Sequence, residues 1–200
     1  MSKLIHEFLK TATEPIPDLV YGDSYRCSVY LTDGLYLPCV MLRTSATAVE
    51  LAVSRLERHQ SGSTTLKSCD GYISLVKSFV TTGNQVNNYD IAKIEPSKYA
   101  IPLSILRQIE SETSMSWTGF VLEMNDGALF SFGTTYLMEF FDIPDGYYFT
   151  DVVAVHNHSY VSSCGKLKSL RQGVTKQSDN YNASLVRRER PYFVCYYDPY

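Results

Sequence analysis

The sequence predicts an α+β fold: a mainly antiparallel, strongly curved sheet or partly open barrel built from hairpins, with two or three helices packed against it. Three observations carry that expectation. Apolar residues recur with period two on both sides of Asp33-Gly34 and of Asp126-Gly127, the pattern of half-buried strands joined by tight turns. Stretches of helical period are few and short. Tyrosine is abundant, with 16 Tyr and 9 Phe against one Trp, a composition suited to sheets.

The elements follow in order. Residues 2–11 pair Leu4 with Phe8 and Ile5 with Leu9 on one helical face, and the prolines at 15 and 17 end the helix. Residues 24–43 read as a hairpin closed by Asp33-Gly34, expected as a two-residue type I′ turn. Pro38 lacks an amide donor, so the second strand should lie at an edge or carry a bulge there. A helix is expected over 47–59, where Ala48, Leu51, Ala52 and Leu56 share a face. The Ser, Thr and Gly of 59–71 mark a surface loop, and 72–82 and 88–95 read as two strands. Pro102 suits a first helical turn, and Leu103, Leu106 and Ile109 continue a helix toward Glu112.

A second hairpin places Phe120, Leu122 and Met124 on one face, turns at Asp126-Gly127 and returns through Leu129 and Phe130 or Phe132. Its likeness to the first raises the question of an internal repeat, although Asp-Gly hairpins arise independently with ease. A strand over 149–156 comes next, then a long basic surface excursion over 162–190 and a returning strand over 192–197 that closes the sheet. Too few apolar side chains lie in the excursion to build a core, so residues 1–200 read as a single α+β domain.

Composition limits the function classes. Charged residues make up 20% and apolar ones 44%, values of an ordinary globular chain that exclude collagen-like and disordered classes. Lys3, His6, Glu7 and Lys10 interrupt the apolar residues at the N-terminus, unlike a secretory signal, and no apolar stretch is long enough to span a bilayer. A cytoplasmic protein without membrane contact is therefore expected. Five widely spaced cysteines without a C-x-x-C pair suit reduced thiols. The net charge of −3 hides an asymmetry, since residues 101–150 carry one basic and seven acidic groups while 151–200 carry seven and four. Such faces can each steer a partner of opposite sign.

The sharpest site candidate is His156-Asn157-His158. On a continuing strand the two imidazoles would face the same way and could serve as metal ligands, with Glu123, Glu139, Asp142 or His59 supplying a third. Two histidines that merely end a strand explain the letters more simply. Metal-dependent deubiquitinase-like hydrolases carry an aspartate downstream of such a unit, at the position that is Ser169 here, and cupins a nearby glutamate that 159–165 lacks. No phosphate-cradling loop or nucleophile elbow is present. Cys164 lies near His158 in sequence and Cys69 precedes Asp70, which is weak ground for a thiol nucleophile.

A second candidate is the basic stripe of Lys166, Lys168, Arg171, Arg187, Arg188 and Arg190, interleaved with tyrosines, which could neutralise phosphates and stack bases. A solvated charged segment accounts for it equally well. Taken together, these residues point to a noncatalytic intracellular protein-binding module, an inhibitor, immunity-like or phage or bacterial accessory protein, that uses an aromatic-rich surface or sheet edge. Its partner would be another protein or a second copy in a homodimer, and no cofactor is implied. The alternatives are a small metal-dependent hydrolase with His156 and His158 as ligands, and a nucleotide or nucleic-acid binder using the basic C-terminal segment.

Overall fold

The computed structural model describes residues 2–18, 22–44, 50, 84–110, 112–113, 117–134, 139–170 and 188–198. Its contacts form two compact units, Met1–Ser97 with Tyr192–Tyr200, and Lys98–Pro191. The class is α+β and mostly strand, and among the described residues every sheet is open. The expected helix over 47–59, apart from Glu50, the loop over 59–71 and the strand over 72–82 lie outside the described residues.

The first unit holds helix α1 (Ser2–Ala12) and strands β1 (Pro15–Asp18), β2 (Gly22–Leu31), β3 (Tyr36–Thr44), β4 (Gln85–Asn87), β5 (Ile91–Pro96) and β11 (Phe193–Tyr197). They form one sheet in the order β1-β2-β3-β11-β4. One side of β2 is shared end to end: β1 pairs with its first residues, Pro15 opposite Tyr25, and β5 with its last, Pro96 opposite Cys27. The two prolines of β1 withhold donors from its outer side, which limits further strand addition. The returning strand β11 enters the sheet's interior and runs parallel to both β3 and β4.

Alternation along β2 sends Tyr25, Cys27 and Val29 to one face, where they join Val40 and Leu42 of β3 and Cys195 and Tyr197 of β11. Helix α1 closes this face with Ile5 and Leu9. Leu9 is fully buried, which contributes about 2 kcal/mol. His6 Nδ1 lies 2.9 Å from the Tyr197 hydroxyl, so the helix is fixed by a polar contact as well. The expected bulge at Pro38 is present. Cys27 pairs with Val40 and Val29 with Leu37, which leaves two residues of β3, Pro38 among them, opposite Ser28.

The second unit holds helix α2 (Leu103–Leu106) and strands β6 (Thr118–Met124), β7 (Leu129–Thr134), β8 (Val152–Asn157), β9 (Ser159–Val161) and β10 (Leu167–Ser169). Strands β7-β6-β8 form an antiparallel sheet, and β9 pairs with β10 in a separate hairpin. Phe120, Leu122, Met124 and Phe132 bury one face of the sheet against Ile101, Ile105, Phe141, Ile143 and Phe149. Phe120 and Phe132 stack at 5.6 Å, with Phe141 edge-on to both.

Helix α2 is shorter than its apolar period predicts. Beyond Leu106 the backbone is held from outside: the Asn157 side chain accepts the Glu110 N–H at 3.0 Å and donates to the Gln108 carbonyl at 2.7 Å. These bonds take over groups that a longer helix would pair internally. Strand β8 is paired only with β6 among the described residues. Its register jumps at Val153, where a bulge twists this edge and turns an apolar side chain to solvent.

The turns differ from the expected type I′. In the first, Gly34 donates to Leu31 O at 2.9 Å, Leu31 donates to Leu35 O at 2.8 Å, and only Gly34 has positive φ, at 90°. That is a three-residue loop, a type I turn followed by a left-handed glycine. The Asp126-Gly127 turn repeats it, with Gly127 at 84°. The aspartate explains the choice: Asp33 Oδ1 accepts the Leu35 N–H at 2.9 Å and Asp126 Oδ1 the Ala128 N–H at 2.9 Å. A third copy, unexpected from the sequence, joins β9 to β10 through Ser162, Ser163, Cys164 and Gly165, with Gly165 at 75°.

Candidate functional site: two histidine–carboxylate pairs

Strand β6 sets the first pair. Val121 lies opposite His156 and Glu123 opposite Ala154, so Glu123 and His156 are diagonal neighbours on one face of the sheet. Their side chains meet, His156 Nε2 lying 2.7 Å from Glu123 Oε2. Both are partly exposed, 30% and 37%. Water therefore screens this ion pair.

His158 is placed differently. Strand β8 ends at Asn157, and His158 adopts a left-handed backbone with φ of 49°, the only such non-glycine residue described. The chain then leaves the line of β8 and begins β9. The two imidazoles are thus not successive positions on one strand face, and each reaches a different carboxylate. His158 Nε2 lies 3.2 Å from Glu110 Oε2, and its Nδ1 lies 3.0 Å from Thr113 Oγ1. Thr113 Oγ1 also accepts the Gly119 N–H at 2.9 Å and reaches the Gly119 carbonyl at 3.3 Å.

The Thr113 hydroxyl can complement His158 Nδ1 as either donor or acceptor. With a neutral ring carrying its proton on Nε2 toward Glu110, the threonine hydroxyl donates to Nδ1. With a charged ring, Nδ1 donates and the hydroxyl turns to the Gly119 carbonyl. The hydroxyl is a two-way joint between an imidazole and a backbone.

Of the third ligands considered for a metal, Glu123 is bonded to His156, Glu139 is buried, and Asp142 accepts Arg190 Nη1 at 2.7 Å. His59 lies outside the described residues. Among the described residues no group of three or more His, Cys, Asp or Glu side chains is placed to hold a metal.

The basic stripe divides into two kinds of residue. Lys166 and Lys168 are exposed on the β9–β10 hairpin. Arg188 is turned inward: its Nε donates to Ser131 O at 3.1 Å, and the guanidinium lies 5.5 and 5.7 Å from the Phe130 and Phe132 ring centroids. Burial pulls its pKa below the usual value, partly offset by Asp142. Arg190 lies 3.9 Å from the Tyr99 centroid while paired with Asp142. Both arginines are thus engaged inside the second unit. Arg171 and Arg187 lie outside the described residues.

Two features were hidden from sequence reading. Cys164 takes the place in its turn that Asp33 and Asp126 take in theirs, and it is exposed. A hydrogen bond with the Ser162 hydroxyl pulls its thiol below the ordinary range; desolvation opposes this, and the Lys166 N–H and the Lys168 charge add smaller downward pulls. The position before the turn glycine was the available signal.

The other feature surrounds the β2–β3 turn in the first unit. Leu35, Tyr36 and Tyr89 are large side chains left 54%, 43% and 71% exposed. Thr32 donates to Asp90 O at 2.8 Å, which ties the turn to the 3-10 segment Asn88–Asp90 that carries Tyr89. Tyr36 packs on Tyr30 at 4.8 Å, and the Lys93 ammonium sits 5.6 Å over the Tyr30 ring while paired with Glu95. Among the described residues no helix is long and apolar enough to cross a membrane. Comparison with known proteins finds no family model, no curated protein and no solved structure that matches the chain.

Proposed function

We propose that the chain is a noncatalytic, cytoplasmic protein-binding module, an inhibitor or immunity-like accessory protein, and that it meets another protein or a second copy of itself through the surface around the β2–β3 turn. The observation that carries this reading is the exposure of Leu35, Tyr36 and Tyr89 beside one ordered turn. Aromatic rings held by a rigid scaffold lose little freedom on binding and bring large contact area, which is why they are enriched at interfaces. Further support comes from the engagement of Arg188, Arg190, His156 and His158 by partners within the second unit, since a phosphate or a metal would have to displace those partners first.

The test is a Tyr36→Ser, Tyr89→Ser double variant. Both side chains are exposed, so the fold should survive, as circular dichroism would check. Expected is loss of the partner recovered by wild-type protein, or loss of the dimer in sedimentation if the partner is a second copy. Retention of every interaction by the double variant overturns the reading.

A further inference from the structure

We infer that the partner segment docking on the β2–β3 surface is cationic, an arginine- or lysine-bearing stretch of protein whose charged heads lie on the tyrosine faces and pair with the carboxylates beside them. The inference rests on the protein-binding reading above and names the chemistry of the same surface.

The surface already holds one cation in this manner. Lys93 places its ammonium 5.6 Å from the Tyr30 centroid and pairs with Glu95, so a tyrosine face and a carboxylate clasp a positive charge between them. Two more exposed tyrosines neighbour carboxylates along the chain. Tyr36 follows the turn that contains Asp33, and Tyr89 immediately precedes Asp90. Both rings are exposed, as is Asp33, while Asp90 is half-buried.

Each carboxylate is fixed by a neutral donor, which leaves its charge for a partner. Asp33 Oδ1 accepts the Leu35 N–H at 2.9 Å, and Asp90 Oδ2 accepts Asn87 Nδ2 at 3.2 Å. Over residues 30–36 and 89–95, Asp33, Asp90 and Glu95 set three negative charges against the one positive charge of Lys93. The residual charge attracts a basic segment and repels an acidic one. The ring faces add to the same preference, because the aromatic quadrupole presents its negative side to the ligand. Leu35 supplies the apolar contact that the stem of a long basic side chain would cover.

The probe is a capped hexa-arginine peptide, titrated into the full chain and followed by amide NMR, with hexaglutamate as the opposite-charge control. Hexa-arginine should shift the resonances of residues 30–36 and 89–95 and hexaglutamate should not. Raising salt from about 50 to about 300 mM should weaken the binding several-fold. Asp33→Asn with Asp90→Asn removes charge and keeps an oxygen for each existing hydrogen bond, so the turn persists. That variant should lose about fivefold in affinity, and Tyr36→Ser with Tyr89→Ser about as much.

Shifts that centre on the acidic groups of the second unit, or that survive both double variants, overturn the inference, as does absence of binding. The physiological partner separates the two claims. A partner lost on the tyrosine substitutions but indifferent to Asp33→Asn, Asp90→Asn and to salt refutes the cationic segment and leaves the binding surface standing. A partner indifferent to the tyrosines refutes both.

Discussion

His156 Nε2 lies 2.7 Å from Glu123 Oε2, across two adjacent strands, while His158 turns away from that pair toward Glu110. The two histidines therefore act separately. A double-mutant cycle of His156→Ala and Glu123→Gln should return a coupling of about 0.5 kcal/mol in urea denaturation, as suits a partly exposed pair. The same cycle with His158→Ala in place of His156→Ala should return a value near zero. A large coupling between His158 and Glu123 would mean that both imidazoles share one carboxylate.

The backbone at His158 gives a second prediction. A left-handed conformation costs an L-residue about 1 to 2 kcal/mol, and glycine escapes that cost. Both His158→Ala and His158→Gly lose the bonds to Glu110 and Thr113, but only the alanine variant keeps the strain. The glycine variant should be the more stable by about 1 kcal/mol, the reverse of the order in a regular strand. Thermal or urea unfolding of the two variants decides.

Trp117 offers a spectroscopic check. A Cβ added at Gly119 would overlap the Trp117 ring, so Gly119→Ala must push the indole aside. Trp117 is the single tryptophan of the chain, and its emission should change wavelength in the variant. The cost in stability should be about 1 kcal/mol, since the obstacle is a side chain and can move. An unchanged spectrum would show that the ring does not lie over this glycine.

Cysteine reactivity should be sharply selective. Cys164 is exposed and its thiol is pulled down, first by Ser162, so it should react with iodoacetamide near neutral pH and reach its plateau rate at lower pH than a free cysteine. Burial pushes the Cys195 thiol up to about 12 and Cys27 well above its ordinary value, the latter also through Cys195, so both should stay unmodified while the protein is folded. Ser162→Ala should slow alkylation of Cys164 by about threefold at pH 7. Peptide mapping by mass spectrometry reads each site.

What the letters revealed and what they concealed have distinct causes. Both Asp-Gly hairpins were legible because period-two alternation and a turn glycine are local signals. The turn type was not, since the aspartate side chains choose it by capturing the N–H two residues on. The returning strand was legible at 193–197, yet its parallel seat between β3 and β4 was not, because alternation names a strand and leaves its neighbours open. At the candidate site, alternation predicted one shared face for His156 and His158. It fails after Asn157, where a single left-handed residue ends the strand. The bonds from Asn157 to Gln108 and Glu110 that shorten α2 span more than forty residues of sequence and leave no local trace.

The seat of β11 bears on how the protein is made. This strand pairs on one side with β3 and on the other with β4, and it carries Cys195 and Tyr197 into the first unit's core. On the ribosome those neighbours emerge long before it and must wait with an unfilled slot, whereas Lys98–Pro191 is synthesised without interruption and can settle first. Stalled or nicked chains that lack β11 should therefore keep an intact second unit while the first remains sticky and prone to capture by chaperones.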